Sequence, residues 1–213
     1  MIPELKYASQ ICYSSEQTLE FSFEMAKKYA DNPGVYVECG VAAGAQIIAM
    51  AKGAPNKTIY AFDSFEGIPL PSNRDDQMPG IMMLTETERK ALPDPGKQKL
   101  ETTGATSVPF NDFVTHLKNA GVNLDKVIPV VGWFEETTEH HTPDISMLRL
   151  DGDLYNSTFV CLQNLFPKVL NGGVVIIDDW ELKGCKDACI EYFEFIGYTP
   201  QYKSLSNIVY FYK

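Results

Sequence analysis

Two pairs of carboxylates carry the most chemistry in this chain: Asp151 and Asp153 in Leu150-Asp-Gly-Asp-Leu154, and the adjacent Asp178 and Asp179. Each pair closes an apolar run, over 145–150 and 174–177, and a stretch of helical period joins the two runs. Near-continuous apolar runs of this length read as buried parallel strands, and strand–helix–strand is the βαβ unit. Ligands of open α/β sheets sit at the carboxyl ends of the strands. If the two strands are neighbours, all four acids gather at one edge of one crevice. Four carboxylates cannot share a dry site as anions without a cation. All-oxygen ligation suits Mg²⁺, Ca²⁺ or Mn²⁺ better than zinc. The competing reading is that Asp153 and Asp178 cap helices while Asp151 and Asp179 are solvated. Two pairs at two strand ends favour the metal site.

The elements that would position these acids begin with strand, turn and helix over 35–52. Its turn has Glu38-x-Gly40-x-x-x-Gly44 spacing. Gly40 and Gly44 let a ligand approach the backbone, and the helix start offers free N–H groups; packing of helix on sheet accounts for the glycines equally well. The turn is not the Gly-x-Gly-x-x-Gly dinucleotide fingerprint. Glu38 would repel a pyrophosphate and accept instead from a cationic or hydroxylated ligand, such as an amino-acid ammonium. A second strand, 58–63, ends in Asp63, placed about 20 residues on, where an acid grips ribose hydroxyls. Ser64, Phe65, Glu66 and Gly67 continue round the same pocket. A third strand, 126–131, ends at Gly132-Trp133-Phe134, aromatics that either flank a purine or pack the core.

The remaining elements support these. Ser14 is expected to cap a first helix carrying Leu19, Phe23, Ala26 and Ala30, a stripe for core packing or for a second copy in a homodimer. Ser107 is expected to cap a helix bearing Phe110, Phe113, Val114 and Leu117, closed by Gly121. A helix from about 157 carries Phe159, Leu162, Leu165, Phe166 and Val169, with a kink at Pro167. Another, 186–196, turns Cys189, Tyr192, Phe193 and Ile196 inward. Alternation over 198–203 and 207–212 predicts a terminal hairpin. Residues 68–107 are Pro-rich, with one helical stretch after Thr85. A segment of this length without strong structure is a lid or binding loop overhanging the crevice. His140 and His141 read as solvated.

Size and charge exclude several classes. A chain of 213 residues fits one α/β domain. Net charge −10 disfavours nucleic acid and anionic membrane as partners. No apolar run approaches a membrane span, the first residues lack signal-peptide character, and five cysteines in no Cys-x-x-Cys pattern fit reduced thiols in a cytoplasm.

Taken together the motifs resemble the class I S-adenosylmethionine-dependent methyltransferases, and within them the TylF/macrocin O-methyltransferases. The residues carrying this are Val37-Glu-Cys-Gly-Val41, Phe62-Asp-Ser-Phe-Glu-Gly67, Phe134-Glu-Glu-Thr137, Leu148-Arg-Leu-Asp-Gly-Asp-Leu-Tyr155 with Ser157-Thr158, and Val175-Ile-Ile-Asp-Asp179 with Gly184-Cys185. The resemblance implies a Rossmann-like fold with a seven-stranded, mostly parallel sheet and a C-terminal antiparallel hairpin. It implies Mg²⁺ held by Asp151, Asp178 and Asp179, with Asp153 as general base. Glu38, Gly40, Gly44, Asp63, Ser64, Phe65, Glu66, Gly67, Gly132, Trp133 and Asp151 would contact S-adenosylmethionine. The acceptor would be a hydroxyl of a sugar or glycosylated small molecule. Two alternatives stay open: a catechol- or phenylpropanoid-type O-methyltransferase, with Trp133, Phe134 and Tyr155 stacking on an aromatic acceptor, and a glycosyltransferase using Asp151-Gly152-Asp153 to hold a metal and a nucleotide diphosphate.

Overall fold

The computed structural model describes residues 2–78, 82–139 and 143–213. His140 and His141 lie outside the described residues. A seven-stranded sheet runs through the molecule. Its parallel part comprises β1 (Val35–Cys39), β2 (Ile59–Asp63), β5 (Val127–Val131), β6 (Ile145–Leu150) and β7 (Val169–Ile177). The last two strands, β8 (Lys203–Leu205) and β9 (Ile208–Tyr212), are antiparallel, and the spatial order is β5-β2-β1-β6-β7-β9-β8. The short β3 (Gln77–Met78) and β4 (Met82–Met83) pair with each other in the Pro-rich insertion.

Burial follows position in the sheet. All six residues of β6 are buried, because the strand is central and helices cover both faces. On β5, at the edge, Ile128 and Val131 are exposed, and Pro129 is tolerated because one side of the strand has no partner. Successive side chains alternate between faces. Thus Val174 and Ile176 join the core under α1 (Glu16–Lys28), α2 (Ala45–Gly53) and α4 (Phe110–Asn119), while Val175 and Ile177 join the core under α6 (Tyr155–Leu165) and α7 (Lys183–Phe195).

Several local expectations shift. Ser15, not Ser14, caps α1, its oxygen accepting from the Thr18 N–H at 3.2 Å. Pro109, not Ser107, precedes α4, its fixed φ leading the chain into the helix. Pro167 does not kink α6; the helix ends at Leu165 and passes into a 3-10 turn over Phe166–Lys168, since proline has no N–H to continue the ladder. Ile196 is exposed rather than inward, because α7 stops at Phe195. The hairpin's first arm is only Lys203–Leu205: Pro200 cannot donate to a ladder, and Tyr202 instead packs on Trp180, ring centroids 4.6 Å apart.

The insertion has a closed base. Ile68 donates to Ala105 at 3.0 Å and Thr103 donates back to Ile68 at 2.8 Å. Its helix α3 (Glu86–Ala91) carries the expected capping box between Thr85 and Glu88, and a single-turn helix, α5 (Phe134–Thr137), follows β5.

Candidate functional site

Leu150 of β6 pairs with Ile177 of β7, so the residues that follow, Asp151 and Asp178, emerge side by side. Backbone bonds fix both: Asp178 donates to the Leu150 carbonyl and Asp151 to the Cys39 carbonyl, each at 2.9 Å. Asp151 thereby stands where three strand ends meet. Asp151, Asp153 and Asp179 each place a carboxylate oxygen within 4.8 Å of the others. Asp153 reaches this position through a left-handed backbone, φ 57°, and its N–H donates to Asp179 Oδ2 at 2.9 Å. Aspartate tolerates that conformation better than most residues, at a small local strain.

Asp178 takes a different partner. Its Oδ1 lies 2.9 Å from Arg149 Nη2, and its Oδ2 accepts from the Ser14 hydroxyl at 3.3 Å. Arg149 is wholly buried. Its Nη1 also donates to Glu38 Oε1 at 2.8 Å and to Asp151 Oδ2 at 2.7 Å. One guanidinium therefore serves three carboxylates, and it supplies part of the positive charge that a crowded set of acids demands. It is the main functional residue that the sequence reading passed over. A charged residue inside the apolar run Ile145-Ser-Met-Leu-Arg-Leu150 was the available signal, since a fully buried arginine needs acidic partners.

One cation does not neutralise five acids. Burial, then the neighbouring Asp178, holds the Asp151 carboxyl well above the usual carboxylate range, and burial with Asp153 does the same to Asp179. Burial, reinforced by Asp151 and Asp178, pushes Asp153 up to about 7. Burial raises Glu38 to about 7 against the opposing pull of Arg149.

A cavity of about 290 Å³ opens over these acids. Of the residues expected to contact a cofactor, Gly40, Asp63, Ser64, Gly67, Gly132, Trp133 and Asp151 line it. Glu38, Gly44 and Phe65 are buried and do not line it, and Glu66 is exposed outside it. Glu38 is turned to Arg149 and its Oε2 has no hydrogen-bond partner. Gly44 begins α2 at φ 87° against the Phe113 ring. Asp63 binds the first turn together: Oδ2 accepts from Val41 at 2.8 Å and Ala42 at 2.9 Å, and Oδ1 accepts from Phe65 at 2.7 Å. Gly40 is required by close approach, because a Cβ there would lie 1.8 Å from the Asp151 carbonyl oxygen.

The insertion is tied to the same region by a buried acid. Asp75 Oδ1 accepts from the Tyr155 N–H at 2.8 Å, capping α6 from a distant part of the chain. Its Oδ2 accepts from the backbone and hydroxyl of Ser72, at 2.8 and 2.9 Å. Next to it, Arg74 pairs with Glu191 of α7 and lies over the Tyr155 ring, 4.4 Å from its centroid. These contacts span the chain and left no local sequence signal.

The sequence pattern of the macrocin-O-methyltransferases (TylF) matches residues 23–213. The chain belongs to the TylF family. Among curated relatives of this TylF chain, the 8-demethyl-8-(2,3-dimethoxy-α-L-rhamnosyl)-tetracenomycin-C 4′-O-methyltransferase of Streptomyces olivaceus is 33% identical over 166 residues, covering 75% of this chain and 58% of the relative. The demethyldecarbamoylnovobiocin O-methyltransferase of Streptomyces niveus is 33% identical over 167 residues, with the same coverage of 75% and 58%. The TylF chain thus spans less than two thirds of the length of these curated relatives. Among solved structures, the O-methyltransferase NovP superposes with a TM-score of 0.73 at 28% identity, over 92% of this chain and 79% of NovP. A calicheamicin methyltransferase shares the fold, with a TM-score of 0.70 at 19% identity, over 97% of this chain and 82% of that one. The glycosyltransferase reading of Asp151-Gly152-Asp153 gives way to this membership. Among the described residues, no helix is long and apolar enough to cross a membrane.

Proposed function

We propose that this TylF chain is an S-adenosylmethionine-dependent O-methyltransferase acting on a hydroxyl of a sugar or glycosylated small molecule, with a divalent ion, Mg²⁺, at the strand-end acids. The observation that carries this reading is the convergence of Asp151, Asp153 and Asp179, their carboxylate oxygens within 4.8 Å of one another, in a cavity also lined by Gly40 and Asp63. The donor set fits the ion: oxygens only and already crowded together, with burial and then the neighbouring acids holding Asp151 and Asp179 above the usual carboxylate range. Asp151 and Asp179 would hold it; Asp178, expected as third ligand, is turned instead to Arg149 and the Ser14 hydroxyl and lies outside the converging set.

When bound, S-adenosylmethionine supplies an activated methyl group and Mg²⁺ acidifies and orients the acceptor hydroxyl. The chain's own residues do the rest. Asp153, whose carboxylate faces the cavity and is not paired with Arg149, takes the hydroxyl proton. Asp63, Ser64 and Trp133 line the donor side, and the enclosing walls exclude water and align the two reactants. The test is calorimetry with S-adenosylhomocysteine and with UDP-sugars, followed by transfer of labelled methyl from S-adenosylmethionine to glycosides with and without chelator. Binding of S-adenosylhomocysteine and chelator-sensitive transfer are expected; binding of UDP-sugars alone would reject the reading.

A further inference from the structure

We propose that Tyr13, Ser14 and Asn207 form the acceptor wall of the crevice, and that what they hold is the sugar ring of a glycoside. The proposal rests on the O-methyltransferase reading above. These residues come from the two ends of the chain, the segment before α1 and the turn between β8 and β9, and all three line the main cavity. The two segments are joined: the Ser15 and Ser206 hydroxyls lie 3.3 Å apart, and the Thr18 hydroxyl donates to Asn207 Oδ1 at 3.3 Å.

Three features give this wall its chemistry. The Ser14 hydroxyl donates to Asp178 at 3.3 Å, which sets the wall directly beside the acids. Asn207 uses only its oxygen in the described hydrogen bonds, which points its amide donors as the groups for a ligand. Tyr13 is 70% exposed, an aromatic ring among the residues that line the cavity. A sugar ring has apolar C–H faces and hydroxyl edges. Tyr13 would cover a C–H face while Asn207 and the aspartates take hydroxyls. Among the described residues, the Pro-rich insertion contributes to the cavity only Ile68, Pro69 and Thr106, all at its base.

The test uses p-nitrophenyl α-L-rhamnoside as probe, with S-adenosylhomocysteine and MgCl₂ present, read by calorimetry and saturation-transfer NMR. Tyr13→Ala and Asn207→Asp, the latter keeping an oxygen for Thr18, should each weaken the rhamnoside about tenfold. Affinity for S-adenosylhomocysteine should not move, and Tyr13→Phe should bind as the parent does. Equal rhamnoside affinity in parent and variants would overturn the proposal, as would a parent that, with S-adenosylhomocysteine bound, takes catechol but no rhamnoside. A parent that fails to bind S-adenosylhomocysteine would overturn the methyltransferase reading itself, and the proposal with it.

Discussion

The guanidinium of Arg149 lies 2.7 Å from the carboxylate of Asp151, two residues further along the chain, and has no access to solvent. The pair can form because Arg149 is the penultimate residue of β6 and Asp151 the first beyond it, so both side chains face the same side of the sheet. Removing the cation leaves Glu38 and Asp151 without their ionic partner and Asp178 with only the Ser14 hydroxyl. Arg149→Met is expected to destabilise the fold by about 3–5 kcal/mol. Denaturant unfolding of Arg149→Met, and of Arg149→Met with Glu38→Gln, checks this: the second variant should recover part of the loss, and identical unfolding midpoints in parent and Arg149→Met would contradict it.

The buried acids also give stability a pH dependence. Glu38 and Asp153 sit at about 7 in the folded protein, against ordinary values of 4.5 and 3.8. The folded state holds these protons more tightly than the unfolded chain. Their contribution is therefore complete below the ordinary values and is lost as pH rises through about 7. In chelator, the thermal midpoint should fall between pH 5 and pH 8, and Mg²⁺ should restore it at pH 8 by binding only the folded acids. A chelated protein equally stable at both pH values in scanning calorimetry would contradict the assignment.

Asp153→Asn should separate binding from turnover. The amide keeps the size of the side chain but cannot take a proton. S-adenosylhomocysteine affinity by calorimetry should be unchanged, while methyl transfer falls about 10²–10⁴-fold. Retained turnover would discard Asp153 as the base.

Asp75 predicts a link between the insertion and α6. Asp75→Ala strands the Tyr155 N–H and the Ser72 donors, at about 1–3 kcal/mol of stability. Gly184→Ala should act alike, because its Cβ would meet Asp75 Oδ1 at 2.0 Å. In both variants limited proteolysis should cut within 68–107 faster than in the parent; unchanged cleavage rates would argue against the tie.

Much of this protein is legible from local pattern. Apolar runs that end in acids, the glycine turn and the alternation of strand and helix depend on near neighbours in sequence, and they specify the parallel sheet and the edge at which Asp151, Asp153, Asp178 and Asp179 emerge. Cap positions were harder, because Ser14 and Ser15 offer the same oxygen one residue apart and packing decides which meets the Thr18 N–H. What only the tertiary structure decided are relations across long separations. Arg149 and Asp178 meet because β6 and β7 pair in one register. Asp75 reaches Tyr155 across 80 residues, and Ser14 reaches Asp178 across 164. Sequence shows which residues carry charge, but the balance of charge in a buried site depends on which strands lie side by side.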